Sequence, residues 1–178
     1  MTLLIALVLI FCPEMKFVAD SMLGRLAKWL RLLGFDTIYY PEIKNSLLLR
    51  IAKEQCRLVL TRDTSLIKVR ELKGVLSQKS GVEVSRKFFL LIDNDPFEQL
   101  KAVVTHFNLK NFSLMHRCVE CNSHLQRVSK MEVQGSVPEY VFLHSDLFNK
   151  CPGCGRIYWH GSHPQKIQDK LKEILSKK

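Results

Sequence analysis

The chain has 178 residues, a formal net charge of +10 and a pI near 9.4. Hydrophobic residues make up 47% and charged residues 25%, a globular composition that can bury a core without disulfides. At this length the chain holds one medium domain, either alone or with a small module, which excludes a larger number of domains. The basic charge favours a polyanionic partner, although a soluble basic protein without one would carry the same charge.

The first residues are unusually apolar. The run from Thr2 to Phe11 is too short to span a bilayer, and no Lys or Arg precedes Lys16 as a signal peptide would require. We therefore expect residues 1–14 to be an extension from an upstream start codon, or a short added strand or helix. We expect a cytoplasmic protein that is neither secreted nor bound to a membrane.

Strands and helices are predicted to alternate over the next hundred residues. Apolar runs rich in β-branched and aromatic residues predict four strands, at Met15–Ala19, Thr37–Tyr40, Leu58–Thr61 and Phe88–Ile92. Helical spacing predicts four helices, at Ser21–Leu33, Leu47–Glu54, Ser65 to about Leu76, and Asp95 to about Phe107. This alternation indicates an α/β fold with a central parallel sheet flanked by helices. The polar stretch Asn108–His116 is the predicted linker to a second module.

Acidic residues follow three of the predicted strands. Asp20 ends the first strand, Asp63 follows the third, and Asp93 with Asp95 follows the last. Since the carboxyl ends of parallel strands share one edge, these candidate catalytic carboxylates would converge there and bind Mg²⁺ or Mn²⁺. The alternative is that each acid caps the helix after it, because Asp is a preferred N-cap residue.

Basic residues are predicted near the same edge. Arg25, Lys28 and Arg31 recur at helical spacing and form a candidate RNA-binding stripe, and Arg62 adjoins Asp63. The alternative for the stripe is a solvated helix face. Trp29, in the same helix, packs in the core or offers a stacking platform for a base.

Four cysteines form two matched pairs. Cys118 and Cys121 make one CxxC pair, Cys151 and Cys154 make the other, and 29 residues separate the pairs. Two such knuckles converging on one ion make a structural zinc ribbon, since four thiolates leave no open coordination position. Two disulfides or a redox CxxC pair are the alternatives.

The rest of the ribbon carries two further predictions. Tyr140–Leu143 could pair with Gln126–Lys130 as strands, and Pro164 starts a predicted amphipathic terminal helix. Trp159 and its aromatic neighbour Tyr158 are candidates for stacking on unpaired bases, or else for packing the ribbon against the first domain.

Long motifs in this chain closely resemble the Mut-seven C-terminal ribonuclease domain family. The resemblance covers essentially Met15 to Pro164. It is carried by the segments Phe17–Asp36, Leu60–Asp63, Asp95–Leu100, Arg117–Asn122 and Cys151–Trp159.

The resemblance implies a PIN-like nuclease domain at residues 15–115 and a zinc ribbon with a C-terminal helix at 116–178. It further implies metal-dependent RNA cleavage, with Asp20 and Asp63 as ligands of the catalytic ion. The chain departs from the family at Asn45, where an acid usually opens the helix after the second strand, and Glu42 lies three residues earlier. Loss of one carboxylate weakens Mg²⁺ binding, because affinity follows ligand charge.

Three functions are consistent with these patterns. The first is a metal-dependent ribonuclease that acts on single-stranded RNA, with the ribbon helping to seat the strand. The second is a non-catalytic RNA-binding module with a degenerate acidic site, which Asn45 favours. The third is a protein-interaction adaptor, for which RNA affinity would be absent at physiological salt.

Overall fold

A four-stranded parallel sheet organises the first part of the chain. The computed structural model describes residues 15–66, 88–110 and 112–159. The strand order is β2-β1-β3-β4. The strands are β1 (Phe17–Ala19), β2 (Thr37–Tyr39), β3 (Leu58–Thr61) and β4 (Phe88–Leu90). The flanking helices are α1 (Gly24–Leu32), which follows a 3-10 turn at Ser21–Leu23, α2 (Asn45–Glu54) and α3 (Pro96–His106). The predicted α/β fold with a central parallel sheet is confirmed.

Alternating side chains of the strands build a core on each face of the sheet. Phe17 and Ala19 of β1 are fully buried in the core that α1 and α3 cover. Val18, between them, is buried in the core on the α2 side. This alternation explains why the strands read as continuous apolar runs: a parallel sheet covered on both faces has no solvent side.

The strand register aligns the ends of the sheet. Phe17 pairs with Thr37 and Leu58 where the strands begin, and Ala19 pairs with Tyr39 and Leu60 near their ends. We call the residues just after β1, β3 and β4 the carboxyl edge, comprising Asp20, 62–63 and 91–95. We call the residues at the start of β1, β2 and β3 the amino edge, comprising Phe17, 36–37 and 57–58.

A three-stranded antiparallel sheet forms the second part. Its order is β5-β6-β7, with β5 at Gln126–Val128, β6 at Phe148–Lys150 and β7 at Ile157–Trp159. The predicted pairing of Gln126–Lys130 with Tyr140–Leu143 is wrong, because β5 pairs with β6. Tyr140–Leu143 instead lies in α4 (Glu139–His144), where Pro138 precedes the first turn and the amide of Phe142 donates to its carbonyl at 3.0 Å.

The predicted linker is bound to the end of α1. The amides of Ser113 and Met115 donate to the carbonyls of Leu33 and Leu32 at 3.0 and 3.2 Å. Gly34, at φ +96°, permits this approach, because a Cβ there would lie 2.7 Å from the carbonyl oxygen of Ser113. The boundary between residues 115 and 116 stays a prediction.

Some predictions fall outside the described residues. They concern the extension at 1–14, the helix beyond Leu66 and the terminal helix from Pro164. None of the helices in the described part of the chain combines the length and apolar character that crossing a bilayer requires.

Candidate functional site

The four cysteine sulfurs form one cluster. All four Sγ atoms lie within 4.8 Å of one another, with 3.5 Å between Cys118 and Cys154 and 3.3 Å between Cys121 and Cys151. A tetrahedral zinc with Zn–S distances of about 2.3 Å holds its sulfurs about 3.8 Å apart. The donor set therefore fits a metal such as zinc. Burial alone would raise the pKa of the Cys121 thiol, but hydrogen bonds with Ser123 and the neighbouring sulfurs lower that pKa to about 6.

The two cysteine pairs share one backbone fold. In each, the first cysteine's amide donates to a carbonyl five residues later, Cys118 to Ser123 and Cys151 to Arg156, both at 2.8 Å. The residue after the second cysteine is left-handed in each, Asn122 at φ +71° and Gly155 at φ +74°. Glycine is the usual residue for this conformation, so Asn122 needs a separate explanation.

Asn122 attaches the first cysteine pair to the amino edge. Its side-chain oxygen accepts from the Thr37 amide at 3.1 Å, and its side-chain amide donates to the Asp36 carboxylate at 2.7 Å. A glycine would adopt the same backbone but make neither bond. The second pair has Gly155 at this position, where an added Cβ would meet no described residue within 4 Å.

Asp36 joins three basic and polar partners at this junction. Arg57 donates to both of its carboxylate oxygens, at 2.6 and 3.1 Å, and Arg117 lies 3.8 Å away. Burial alone would raise the pKa of Asp36, but hydrogen bonds from Arg57 and Asn122 and the two arginine charges lower it overall. Arg57 also donates to the Phe17 carbonyl, so the ion pair connects the ribbon to the central strand.

Arg31 is buried, which corrects the prediction that it lies on an exposed RNA-binding stripe. It is 3% exposed, and its guanidinium donates to the carbonyls of Thr37 at 2.8 Å and of Val119 and Glu120 at 3.0 and 2.7 Å. Burial lowers the pKa of Arg31. Arg31 therefore binds the first cysteine pair to β2 and is not available on an exposed RNA-binding stripe.

The other members of the predicted stripe remain on the surface. Lys28 lies 2.7 Å from Glu120 with about half of its side chain exposed, and Arg25 is exposed one turn earlier. The hydrogen bond and charge of Lys28 lower the pKa of Glu120. Trp29 is half-buried, packs against the core and lies 4.7 Å from the ring of Phe97, which favours the packing role.

Two aromatic residues of β7, Tyr158 and Trp159, are half-buried. The Tyr158 hydroxyl lies 3.1 Å from Cys118 Sγ, and burial together with that sulfur raises the pKa of Tyr158. Tyr158 therefore packs over the cysteine cluster. Trp159 is half-buried at the end of β7.

Asp20 is the buried carboxylate of the carboxyl edge. It is 4% exposed, and its Oδ1 accepts from the Met22 amide at 2.8 Å as the cap of the 3-10 turn. Its Oδ2 accepts from the Thr61 hydroxyl at 2.5 Å and the Arg62 amide at 2.7 Å, both at the end of β3. Capping explains the first contact only, so the second oxygen is held by the neighbouring strand.

Asp63 lies on the same edge with more solvent around it. Its Oδ1 accepts from the Ser65 amide at 2.8 Å, and Oδ2 accepts from the side-chain amide of Asn45 at 3.3 Å. Hydrogen bonds from Ser65 lower the pKa of Asp63, and the Asn45 amide adds to this effect. Asn45 therefore does not cap its own helix but contacts the carboxylate across the edge.

Asp93 and Asp95 organise the loop between β4 and α3. Asp95 caps α3 by accepting from the amides of Phe97 and Glu98 at 2.8 and 3.1 Å. Asp93 accepts from the Asp95 amide at 2.8 Å. Over the described ranges, the cysteine cluster is the one group of three or more His, Cys, Asp or Glu side chains close enough to share an ion.

Arg62 and Asn94 connect the ends of β3 and β4. The Arg62 guanidinium donates through Nη2 to the side-chain oxygen of Asn94. Its Nε is buried and has no hydrogen-bond partner among the described residues. Asn94 also lines a cavity of about 570 Å³ with Ile92, Glu98 and Ala102.

The comparison with protein families decides the assignment. The sequence model described as the Mut7-C RNAse domain matches residues 15–171. The chain belongs to this family. Its membership supports a ribonuclease or other RNA-related role and confirms the resemblance. None of the curated proteins and none of the solved structures matches the chain.

Sequence reasoning missed five residues that connect elements at the two ends of the sheet. Four lie at the amino edge and the first cysteine pair, and one lies at the carboxyl edge; they are Asp36, Arg57, Arg117, Asn122 and Asn94. Only Asn122 gave a local signal, because an asparagine stands where the second cysteine pair has glycine.

Proposed function

We propose that this protein is a metal-dependent ribonuclease with a PIN-like acidic site, which acts on single-stranded RNA in the cytoplasm. Membership of an RNase domain family supports RNA as the substrate. The observation that carries the proposal is Asp20, whose carboxylate is buried and whose Oδ2 is fixed by β3 beyond what a helix cap needs. A carboxylate held this way is preorganised for a ligand at the sheet edge.

The proposed cation site uses the carboxyl edge. Asp20 and Asp63 would hold Mg²⁺ or Mn²⁺ with the lone pairs that their present hydrogen bonds leave free. Asp93 or Asp95 would aid through bound water, since no three of these described acids lie close enough to share an ion directly. When bound, the ion would supply an activated water and offset charge on the phosphodiester. Asp20 contributes its fixed orientation, while Asp63, with more solvent around it, contributes an accessible oxygen.

The proposed RNA path uses surface cations. Arg25, Lys28 and Arg62 contact the backbone phosphates, and Trp159 of the ribbon is a candidate stacking contact. Arg31 is not part of the path, because its guanidinium is buried on three carbonyls. The zinc-loaded ribbon would assist by fixing the C-terminal end of α1, the helix on which Arg25 and Lys28 lie.

A non-catalytic RNA-binding module is the second candidate. It is favoured by Asn45, which places a neutral amide 3.3 Å from Asp63 where the family usually carries an acid. In that case the acids serve as caps, and replacing them would leave RNA affinity unchanged or raise it.

Cleavage of a labelled single-stranded RNA with Mn²⁺ and with Mg²⁺ separates the two functions. The test compares the parent with D20N and D63N, each checked for folding and zinc content, and D146N is the matched control on the exposed surface of the ribbon. We expect the cleavage rate of both edge variants to fall by about a hundredfold or more, which is the usual contribution of one catalytic acid–base group, while D146N keeps the rate of the parent. If the folded parent cleaves none of several RNAs, the catalytic proposal fails and the binding module replaces it.

A further inference from the structure

We propose that Arg62 and Asn94 form a phosphate-binding pair beside the acidic site, in which Arg62 contacts an RNA backbone phosphate and Asn94 positions the guanidinium. The inference deepens the proposed function and rests on it for the identity of the ligand. Its basis is the hydrogen bonding of the Arg62 side chain, which is incomplete within the described residues.

The position of Arg62 is fixed at both ends. Its backbone amide donates to Asp20 Oδ2 at 2.7 Å, and its guanidinium donates to Asn94 across the gap between β3 and β4. No carboxylate of the described residues lies at ion-pair distance from it. The positive charge is therefore held next to the candidate metal-binding acids without an acidic partner in that part of the chain.

One donor of the guanidinium lacks a partner. The Nε atom is out of solvent and has no acceptor in the described ranges. A buried unsatisfied donor is unfavourable by about 1–3 kcal/mol, so a structure that retains one has a specific reason for it. Arginine presents its N–H groups as a planar fork that matches phosphate oxygens, and the Arg62 side chain as a whole is half-buried. A phosphate that bound this fork and drew Nε out of its burial would supply the missing acceptor.

The loop that carries Asn94 is braced on both sides. The Asp93 carbonyl accepts from the buried side chain of Gln99 at 2.8 Å, and the Asp95 amide donates to the Asp93 carboxylate. Asp95 in turn caps α3. Because both neighbours of Asn94 are fixed, its side-chain oxygen is a preorganised acceptor for Arg62, which makes Asn94 a positioning residue.

RNA binding without added divalent ion tests the pair, since binding is then separate from cleavage. Fluorescence anisotropy of a labelled single-stranded RNA compares R62A, N94A, the R62A/N94A double variant and R50A. Arg50 is an exposed residue of α2, so R50A makes the same charge change on another surface. We expect about tenfold weaker binding for R62A, with a salt slope reduced by about 0.7, and R50A within twofold of the parent.

N94A should weaken binding severalfold, and the double variant should be no weaker than R62A, because Asn94 acts through Arg62.

N94D separates positioning from a purely structural role. An aspartate keeps the acceptor and the loop, yet its charge would pair with Arg62 and compete with a phosphate. We therefore expect N94D to unfold like the parent but to bind RNA at least as weakly as N94A. RNA affinity of N94D equal to the parent's would overturn the positioning role.

The phosphate-binding pair and the proposed catalysis would be refuted by different results. If R62A and N94A bind RNA as R50A does while the parent still cleaves RNA, the phosphate pair is overturned and the ribonuclease stands. If the parent cleaves nothing but R62A and N94A lose affinity as stated, the pair is supported in a binding module.

Discussion

The cysteine cluster and the carboxyl edge are two candidate metal sites built in opposite ways. The cluster takes four soft ligands from two local turns, with all sulfurs within 4.8 Å. The edge takes its carboxylates from the ends of separate strands, and each already accepts backbone or side-chain hydrogen bonds. A site made by two local motifs needs only that the two turns meet, whereas a site made by topology depends on the whole sheet and on additional ligands.

The ribbon also differs from the edge in where it acts. Its first cysteine pair is bound to the amino edge through Arg31, Asn122 and Asp36, at the opposite end of the strands from Asp20. The ribbon therefore stabilises the α/β part of the chain, because it fixes the start of β2 and the last turn of α1. Any contribution to RNA binding would run along the exposed side of α1.

The largest effect should follow loss of a zinc ligand. Structural zinc sites contribute on the order of 10 kcal/mol, so C118S should reduce bound zinc from about one ion per chain to near zero. C56S, at an exposed cysteine outside the cluster, should retain the zinc. Elemental analysis measures the metal, and hydrogen exchange at the Thr37 amide, which donates to Asn122, measures whether docking is lost with it. Full zinc in C118S would refute the four-cysteine site.

Removal of Arg31 should have the next largest effect. R31A leaves the carbonyls of Thr37, Val119 and Glu120 without this donor, and we expect the free energy of unfolding to fall by about 2–4 kcal/mol. R25A, at an exposed position on the same helix, should change it by less than about 0.5 kcal/mol. Urea unfolding of the zinc-loaded proteins makes the comparison. Equal stabilities for the two variants would contradict the docking role.

Acid should weaken the same junction through Asp36. Its pKa is lower in the folded protein than the unfolded value of about 3.9, so its stabilising contribution is present above about pH 4 and is lost as the pH falls through the folded pKa. D36N should remove this part of the pH dependence. We expect the free energy of unfolding of D36N to be about 1–2 kcal/mol below that of the parent near neutral pH, and this difference to shrink on acidification. Parallel stability curves for the parent and D36N between pH 6 and pH 3 would refute the assignment.

The smallest effect concerns the missing acid of the edge. N45D would remove a donor to Asp63 and add a carboxylate beside it, so it should raise the pKa of Asp63 and tighten Mn²⁺ binding by about three- to tenfold. S46D adds the same charge at the next, exposed position and is the matched control. Calorimetric titration with Mn²⁺ measures both. Equal gains in N45D and S46D would show a general charge effect and no ligand role for residue 45.

The sequence predicted what local patterns determine. The CxxC spacing located the cysteine cluster, and apolar runs located the strands that end at Asp20 and Asp63. Contacts between distant residues were not predictable: Arg31 fits an exposed stripe by spacing, but the ribbon covers it. Tyr140–Leu143 has the composition of a strand, yet the preceding Pro138 starts a helix and β6 already occupies the partner position of β5. Asn94 gave no signal, because its contact is with Arg62, which lies in a different loop of the carboxyl edge.

The measurement that tests the account most directly is Mn²⁺ binding to the zinc-loaded protein by electron paramagnetic resonance. We predict that the parent and D146N bind a Mn²⁺ ion that D20N and D63N do not bind, with all four proteins folded and equally loaded with zinc. Asp63 is the more solvent-accessible of the two acids, so D63N keeps the test valid if the buried D20N substitution impairs folding. Equal Mn²⁺ binding by the parent, D63N and D146N, or none by the parent, would contradict a divalent-metal site at the carboxyl edge.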